Sequence, residues 1–204
     1  MMKVINLNKI KKNKLVFDKK GKYLVFLSNI SGEFLFEIKA EKVELSIYGL
    51  FFGKGNEKYN VSVKQDHIFP KSKSNLLIRG VFFDQASFSY QGLIRVEKKA
   101  QYTQAYQENN NLILSNKAFV SSQPFLEILA NKVSCSHGST ISQLNKDQIF
   151  YLQTRGLNIN QAKDLLVQGF INNLFDKIED EVKNKELIPI SILKFQDSLK
   201  SYYD

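Results

Sequence analysis

The chain is poor in the residues that build self-contained metal and redox sites. Of its 204 residues one is cysteine (Cys135), two are histidine (His67 and His137) and none is tryptophan. A single thiol excludes an intramolecular disulfide, a self-sufficient zinc finger and a four-cysteine iron-sulfur site, so any cluster held here must borrow ligands. The first residues, Met1 to Asn8, lack a charged start running into an apolar segment, and no stretch nears the ~18 uninterrupted apolar residues of a membrane span. A soluble protein of a reducing compartment is the resulting expectation. The phosphate loop Gly-x-x-x-x-Gly-Lys-Ser/Thr is missing, as are His-Glu-x-x-His and Gly-x-Ser-x-Gly. Nucleotide binding by a phosphate loop is thereby excluded.

Arginine is scarce too, with only Arg79, Arg95 and Arg155 against 26 lysines. The formal net charge of +9 is unevenly placed: residues 1–100 hold 19 basic and 9 acidic side chains, residues 101–204 hold 10 and 11. A basic β-rich adaptor that binds nucleic acid or another acidic partner is therefore an alternative reading. Bidentate recognition of phosphate or guanine, however, wants the guanidinium fork that this chain mostly lacks. Nucleic acid is the weaker candidate partner.

From Tyr23 to Val133 apolar residues recur at every second position in short bursts. Phe34, Phe36 and Ile38 alternate with Leu35, Glu37 and Lys39, and Val43, Leu45 and Ile47 with Glu44, Ser46 and Tyr48. Such alternation predicts half-buried strands. Breakers fall at Gly32, Gly53, Gly55, Pro70, Gly80, Gly92, the triplet Asn109 to Asn111 and Pro124, yet the hairpin dipeptides Asn-Gly and Asp-Gly are absent. Regular strands with few hairpin signals suit either a sandwich or a parallel β-helix, and the pattern leaves both open. After Leu144 the period changes. Asn145 with Gln148 resembles a capping box, Ile149 to Thr154 reads as a short helix stopped at Gly156, and Asn160 is a second N-cap candidate. Ala162, Leu165, Leu166, Gly169, Phe170, Leu174, Ile178 and Val182 then define one helical stripe. Pro189 interrupts, and Ile190 to Tyr203 reads as a last short helix. The expected division is a β body over 1–144 and a helical segment over 145–204.

Cys135-Ser136-His137-Gly138-Ser139-Thr140 is the one concentrated site. On a strand, residues 135 and 137 share a face, so a thiol and an imidazole can reach one ion. A nucleophilic Cys/His pair and a merely buried thiol are the other readings. Glu127 pairs with Arg155, caps a network, or is a structural charge at the β-to-helix junction, and His67 reads as structural. A carbohydrate-active β-helix enzyme would cluster its acids in a cleft, whereas here glutamates are scattered.

The run Ser122-Gln123-Pro124-Phe125-Leu126-Glu127-Ile128, the block Val133 to Thr140, the stretch Gln148 to Leu157 and the segment Ala162 to Phe170 together resemble the C-terminal signature of the SufB/SufD family. Upstream, His67 to Ser74, Gly92-Leu93-Ile94-Arg95-Val96 and Ala100 to Gln107 are similar to the family's earlier coils. Cys-Ser-His-Gly is SufD-like, and the cysteine that SufB places near Asn109 to Asn111 is absent, so the role of primary sulfur acceptor is not carried over. The resemblance implies a mainly β fold, a right-handed parallel β-helix with a C-terminal α-helical segment, and a non-catalytic role as scaffold in SUF-type iron-sulfur cluster assembly. It also implies an N-terminal helical region for which 204 residues leave no room.

Carried over by residue, the resemblance makes His137 first, and Cys135 second, the groups facing iron or an iron-sulfur cluster that is held transiently and shared with a partner subunit. A cluster takes about four protein ligands, so a SufB-like subunit or a second copy of this chain has to complete the site. Other implied partners are a SufC-like ATPase, docking on the helical segment through apolar surface around Phe170, Leu174 and Phe175, and sulfur donor proteins. No membrane is implied, and the implied compartment is the cytosol or an organelle stroma.

Overall fold

The computed structural model describes residues 2–182. Along the chain these form β1 (Met2–Asn6), α1 (Leu7–Ile10), β2 (Lys14–Phe17), β3 (Gly21–Ser28), β4 (Gly32–Ile38), β5 (Val43–Gly53) and β6 (Lys58–His67). There follow β7 (Lys73–Phe82), β8 (Ser87–Val96), β9 (Gln104–Ile113), β10 (Phe119–Ile128), β11 (Ser134–Ser142), α2 (Lys146–Thr154) and α3 (Ile159–Val182). The expected last helix, Ile190 to Tyr203, lies outside the described residues. Contacts divide the chain after Ser142, two residues before the expected boundary, into a β unit and a helical unit.

The β unit resolves the choice between sandwich and β-helix. Its odd strands form one sheet in the order β1-β3-β5-β7-β9-β11, its even strands another in the order β10-β8-β6-β4-β2, and every pairing is parallel. Each coil therefore adds one strand to each sheet, and no hairpin is needed, which accounts for the missing hairpin dipeptides. Lys73 lies opposite Gln104 and Gln104 opposite Ser134, a repeat of about 30 residues of the kind that marks solenoids. The first coil is built from residues ahead of Tyr23 that the alternation did not flag.

Apolar ladders fill the space between the sheets. Val25, Ile47 and Leu76 stack in register from one sheet, Phe34 and Val63 from the other. Phe51, Phe82 and Phe88 join them through ring pairs at 4.9 and 5.1 Å between centroids. Phe51 and Phe82 come from the odd sheet and Phe88 from the even one, so these contacts tie the two layers together. Corners are made by residues in the left-handed region: Lys42, Lys71 and Tyr102 at φ 56°, 55° and 61° occupy one corner of successive coils. There the Lys42 amide donates to the Lys71 carbonyl and the Lys71 amide to that of Gln101.

Gly80, Gly92, Pro124 and Asn109 to Asn111 do not break strands; they lie inside β7, β8, β10 and β9. A Cβ at Gly80 would collide with the Asn111 side chain, and one at Gly92 with Gln107 and Tyr90. These glycines make room for side chains of neighbouring coils. Pro124 is tolerated because β10 pairs only with β8 among the described residues. The N–H groups of these side chains find partners within the coil: Asn109 donates to Ser122 Oγ at 2.9 Å and Asn111 to Asn109 Oδ1 at 3.0 Å.

In the helical unit Asn145 caps α2 as expected, its side chain accepting from the amides of Asp147 and Gln148. At the other end, Gly156 at φ 93° donates to Gln153 and Leu157 to Leu152, the pair of bonds that closes a Schellman cap. For α3 the cap is Asn158, not Asn160: the Asn158 side chain accepts from Asn160 and Gln161, and Gln161 Oε1 takes the Asn158 amide in return. That reciprocal pair outcompetes a later start because it satisfies three otherwise orphaned donors. The inward stripe is shifted accordingly. Ala162, Val167, Ile171, Leu174, Phe175, Ile178 and Val182 are buried, whereas Leu165 and Gly169 are exposed.

Candidate functional site

Cys135 and His137 stand on β11, the last strand of the odd sheet, which pairs with β9 on one side only among the described residues. Cys135 lies opposite Ala105 and His137 opposite Gln107. Two residues along a strand rise about 7 Å and return to the same face. The two donors therefore share the inward ladder positions of the terminal coil, as their spacing predicts. Cys135 is half-buried beside Ile94, Val96, Ala100 and Ala105. Burial pushes its thiol up, and a backbone hydrogen bond from Ala105 opposes the shift less strongly. His137 is exposed, and among the described residues no side chain bonds its ring.

Beneath these residues the interior changes character. The ladder that reads Val25, Ile47, Leu76 in earlier coils continues as Gln107 and then His137; the one holding Ile78 continues as Asn109 and Ser139. Gln107 Nε2 donates to the carbonyls of Gly92 at 3.2 Å and Phe125 at 3.3 Å, and Gln107 Oε1 accepts from Tyr90 Oη at 3.4 Å. Burial raises the Tyr90 phenol, which keeps it a donor at any ordinary pH. The interior of the last described coil is thus lined by neutral amides and hydroxyls. On the same coil Phe125, Leu126 and Leu129 are exposed, as is Ile141 on β11. The sequence pattern marks Asn109 to Asn111 as a break between strands and so misses this polar lining; the signal present is that Gln107, Asn109 and Asn111 alternate at strand period.

The other singled-out residues are elsewhere. His67 is fully buried, its Nδ1 2.9 Å from Ser72 Oγ and its Nε2 2.8 Å from Ser74 Oγ. Ser72 gives its proton to the Phe69 carbonyl, so it takes the Nδ1–H, and Nε2 accepts from Ser74. Desolvation depresses the imidazole to about 3, and it stays neutral. Glu127 does not pair with Arg155. It accepts from Arg95 Nε at 3.2 Å, in an outward column where Arg95 also holds Asp66 and Glu97. Arg155 instead bonds the Tyr151 hydroxyl at 3.1 Å. Column neighbours in a parallel sheet sit one coil apart, and Arg95 is opposite Glu127 in register.

Phe170, Leu174 and Phe175 were expected to leave apolar surface open. Leu174 and Phe175 are only 0% and 3% exposed and belong to the inward stripe of α3, while Phe170 is half-buried. Among the described residues of the helical unit, the open large apolar side chains are Phe150 and Tyr151 on α2 and Ile159 and Leu165 on α3.

Chemically, a thiol and an imidazole on one strand face supply two ligands where a cluster takes about four. Among the described residues no group of three or more His, Cys, Asp or Glu could hold a metal ion. No helix among them is long and apolar enough to cross a membrane.

A family model described as SUF system FeS cluster assembly, SufBD core domain, matches residues 17–170. An iron-sulfur cluster assembly SufBD family protein of Synechocystis sp., slr0076, is 36% identical over 140 residues, 69% of this chain and 30% of the relative. The iron-sulfur cluster assembly protein SufD of Escherichia coli is 30% identical over 152 residues, 74% of this chain and 36% of the relative. Protein ABCI7, chloroplastic, of Arabidopsis thaliana is 38% identical over 100 residues, 47% of this chain and 21% of the relative. The chain thus spans about a third of the length of the first two, by the shares just given.

Proposed function

Since the chain belongs to the SufBD core family of the SUF iron-sulfur cluster assembly system, we propose that it is a non-catalytic scaffold subunit whose terminal coil forms one half of a shared cluster-assembly site. The observation that carries this reading is the placement of Cys135 and His137 on one face of β11, a strand whose second edge is unpaired among the described residues and whose nine residues, Ser134 to Ser142, carry no Lys, Arg, Asp or Glu. An uncharged open edge favours pairing with another β-structure, since natural proteins otherwise blunt such edges with charge. A SufB-like subunit, or a second copy of this chain, would bring the missing ligands. The exposed Phe125, Leu126, Leu129 and Ile141 would supply apolar contact around the seam.

The cluster is cargo, and two ligands from this side hold it loosely enough to be handed on. Sulfur donor proteins would deliver sulfur to the partner side, because Cys135 is half-buried and its thiol is pushed up, a poor state for a nucleophile. A SufC-like ATPase would dock on the helical unit, where Phe150, Tyr151 and Leu165 are exposed, and its closure on ATP would drive opening of the seam. The cytosol or an organelle stroma is the proposed compartment.

The test is co-expression with SufB-like and SufC-like proteins, followed by affinity capture with mass measurement and anaerobic assay of bound iron and acid-labile sulfide. His137→Ala is expected to leave the captured complex intact and to lower its iron and sulfide severalfold. Full incorporation in His137→Ala, or capture of neither partner, would refute the proposal.

A further inference from the structure

We propose that Gln107 is a positioning residue: its carboxamide crosses the interior of the terminal coil and holds the two sheets at the spacing that presents His137. This rests on the reading of His137 as the cluster-facing residue, but the brace itself can be measured separately.

The argument starts from the ladder. At the level of Gln107 the preceding coils offer Leu76, Ile47 and Val25, so an amide enters an otherwise apolar column. A buried amide is costly unless its donors and acceptor are met. Gln107 meets them by leaving its own sheet. From β9 its Nε2 reaches the Gly92 carbonyl of β8 and the Phe125 carbonyl of β10, while Oε1 takes the proton of Tyr90 on β8. One side chain thereby links three strands in two sheets. Asn109 Nδ2 adds a second tie from β9 to Ser122 on β10.

Gly92 is part of the same device, because a Cβ there would occupy the space of Gln107 Oε1 and the Tyr90 hydroxyl. The position of the brace matters more than its strength. Strand β10 pairs with β8 alone among the described residues, and it carries the exposed Phe125 and Leu126. His137 lies opposite Gln107 in register. A brace on the Phe125 carbonyl therefore fixes β10 relative to β9, the strand next to His137. Leucine in its place would fill the column and leave the Phe125 carbonyl without this tie to β9.

The experiment uses the full chain and three variants: Gln107→Met, of similar length without the amide; Tyr90→Phe, which removes only the phenol proton donor; and Gln107→Glu. Hydrogen–deuterium exchange is followed along the β unit, and cobalt(II) binding is followed by its absorption and by the His137 ring resonances. Loss of a buried hydrogen-bonded tie predicts exchange about tenfold faster over residues 119–142 in Gln107→Met, with a smaller gain in Tyr90→Phe, and unchanged rates in β4 to β7. Cobalt binding at His137 is expected to weaken severalfold in step. Gln107→Glu should regain protection only at acidic pH, where a protonated carboxyl can donate to a carbonyl; a merely space-filling role would show no such pH profile. Wild-type exchange over 119–142 in Gln107→Met, or acceleration spread evenly into β4 to β7 in both Gln107→Met and Tyr90→Phe, overturns the brace. If the wild type itself binds no cobalt at His137, the cluster-facing reading falls, while the exchange data still decide on Gln107.

Discussion

Neutral His67, sealed between two serine hydroxyls, makes the stability of the β unit depend on pH in a way that one substitution can isolate. Its imidazole is depressed from 6.5 to about 3 because burial removes the water that would solvate the cation. The nearest carboxylate in sequence, Asp66, faces outward and is engaged by Arg95 and Lys64, so it does not hold a proton on the ring. The unfolded chain takes up a proton at this residue as pH falls through 6.5, and the folded chain does not until about pH 3. The stabilisation is thus fully present above 6.5 and is lost on acidification between those two values. At 1.36 kcal/mol per unit, and with the unfolded histidine already half protonated at 6.5, lowering the pH from there to about 4.5 should cost about 2 kcal/mol through this residue alone, a sizeable part of a typical 5–15 kcal/mol. His67→Gln keeps a donor and an acceptor between Ser72 and Ser74 but does not titrate. Urea unfolding of both proteins at several pH values from about 7.5 to 4.5 should give curves that converge on acidification, wild type losing about one more proton's worth of slope than the variant. Parallel curves would refute the reasoning, whatever the absolute stability of the variant.

Two further expectations follow from local geometry. The Cys135 thiol, raised by burial, should alkylate with iodoacetamide more slowly than free glutathione near pH 8, with a rate that keeps climbing at higher pH; a rate equal to glutathione's would contradict the half-buried placement. Lys71 sits at φ 55° in a coil corner, so Lys71→Gly should relieve left-handed strain and, after the entropy cost of glycine, raise stability by roughly 0.5 kcal/mol in thermal unfolding. A clear loss of stability there would mean that the lysine side chain contributes more than the strain it imposes.

Much of this arrangement is legible in the residues, and the misses have physical causes. Alternation at Phe34 to Ile38 and Val43 to Ile47 marks strands because one face of each is buried in the ladder. It says nothing about partner direction, and only the absent hairpin dipeptides hinted at the parallel coil. Gly80, Gly92 and Pro124 were read as breaks because local propensity knows nothing of the coil above or below. In a stacked fold those neighbours decide, and Gly92 is there because Gln107 and Tyr90 need the space. Asn109 to Asn111 misled for the same reason: asparagine favours loops until a neighbouring rung satisfies its amide, as Ser122 does for Asn109. Cys135 and His137 were legible as a same-face pair from spacing alone, and their placement on a terminal strand was not. Asn160 looked as good a cap for α3 as Asn158 because two asparagines two residues apart both qualify, and only the return bond from Gln161 singles out Asn158.

Parallel stacking has a mechanical corollary for the last coil. Each rung leans on the rung before it, so cohesion passes along the column one step at a time, and among the described residues the end rung has half as many strand neighbours as those in the middle. Loosening can therefore begin and stop at β10 and β11 while Phe51, Phe82 and Phe88 stay locked deeper in. A partner that pulls on that last turn would work against a hinge of one coil and not against the stability of the whole stack.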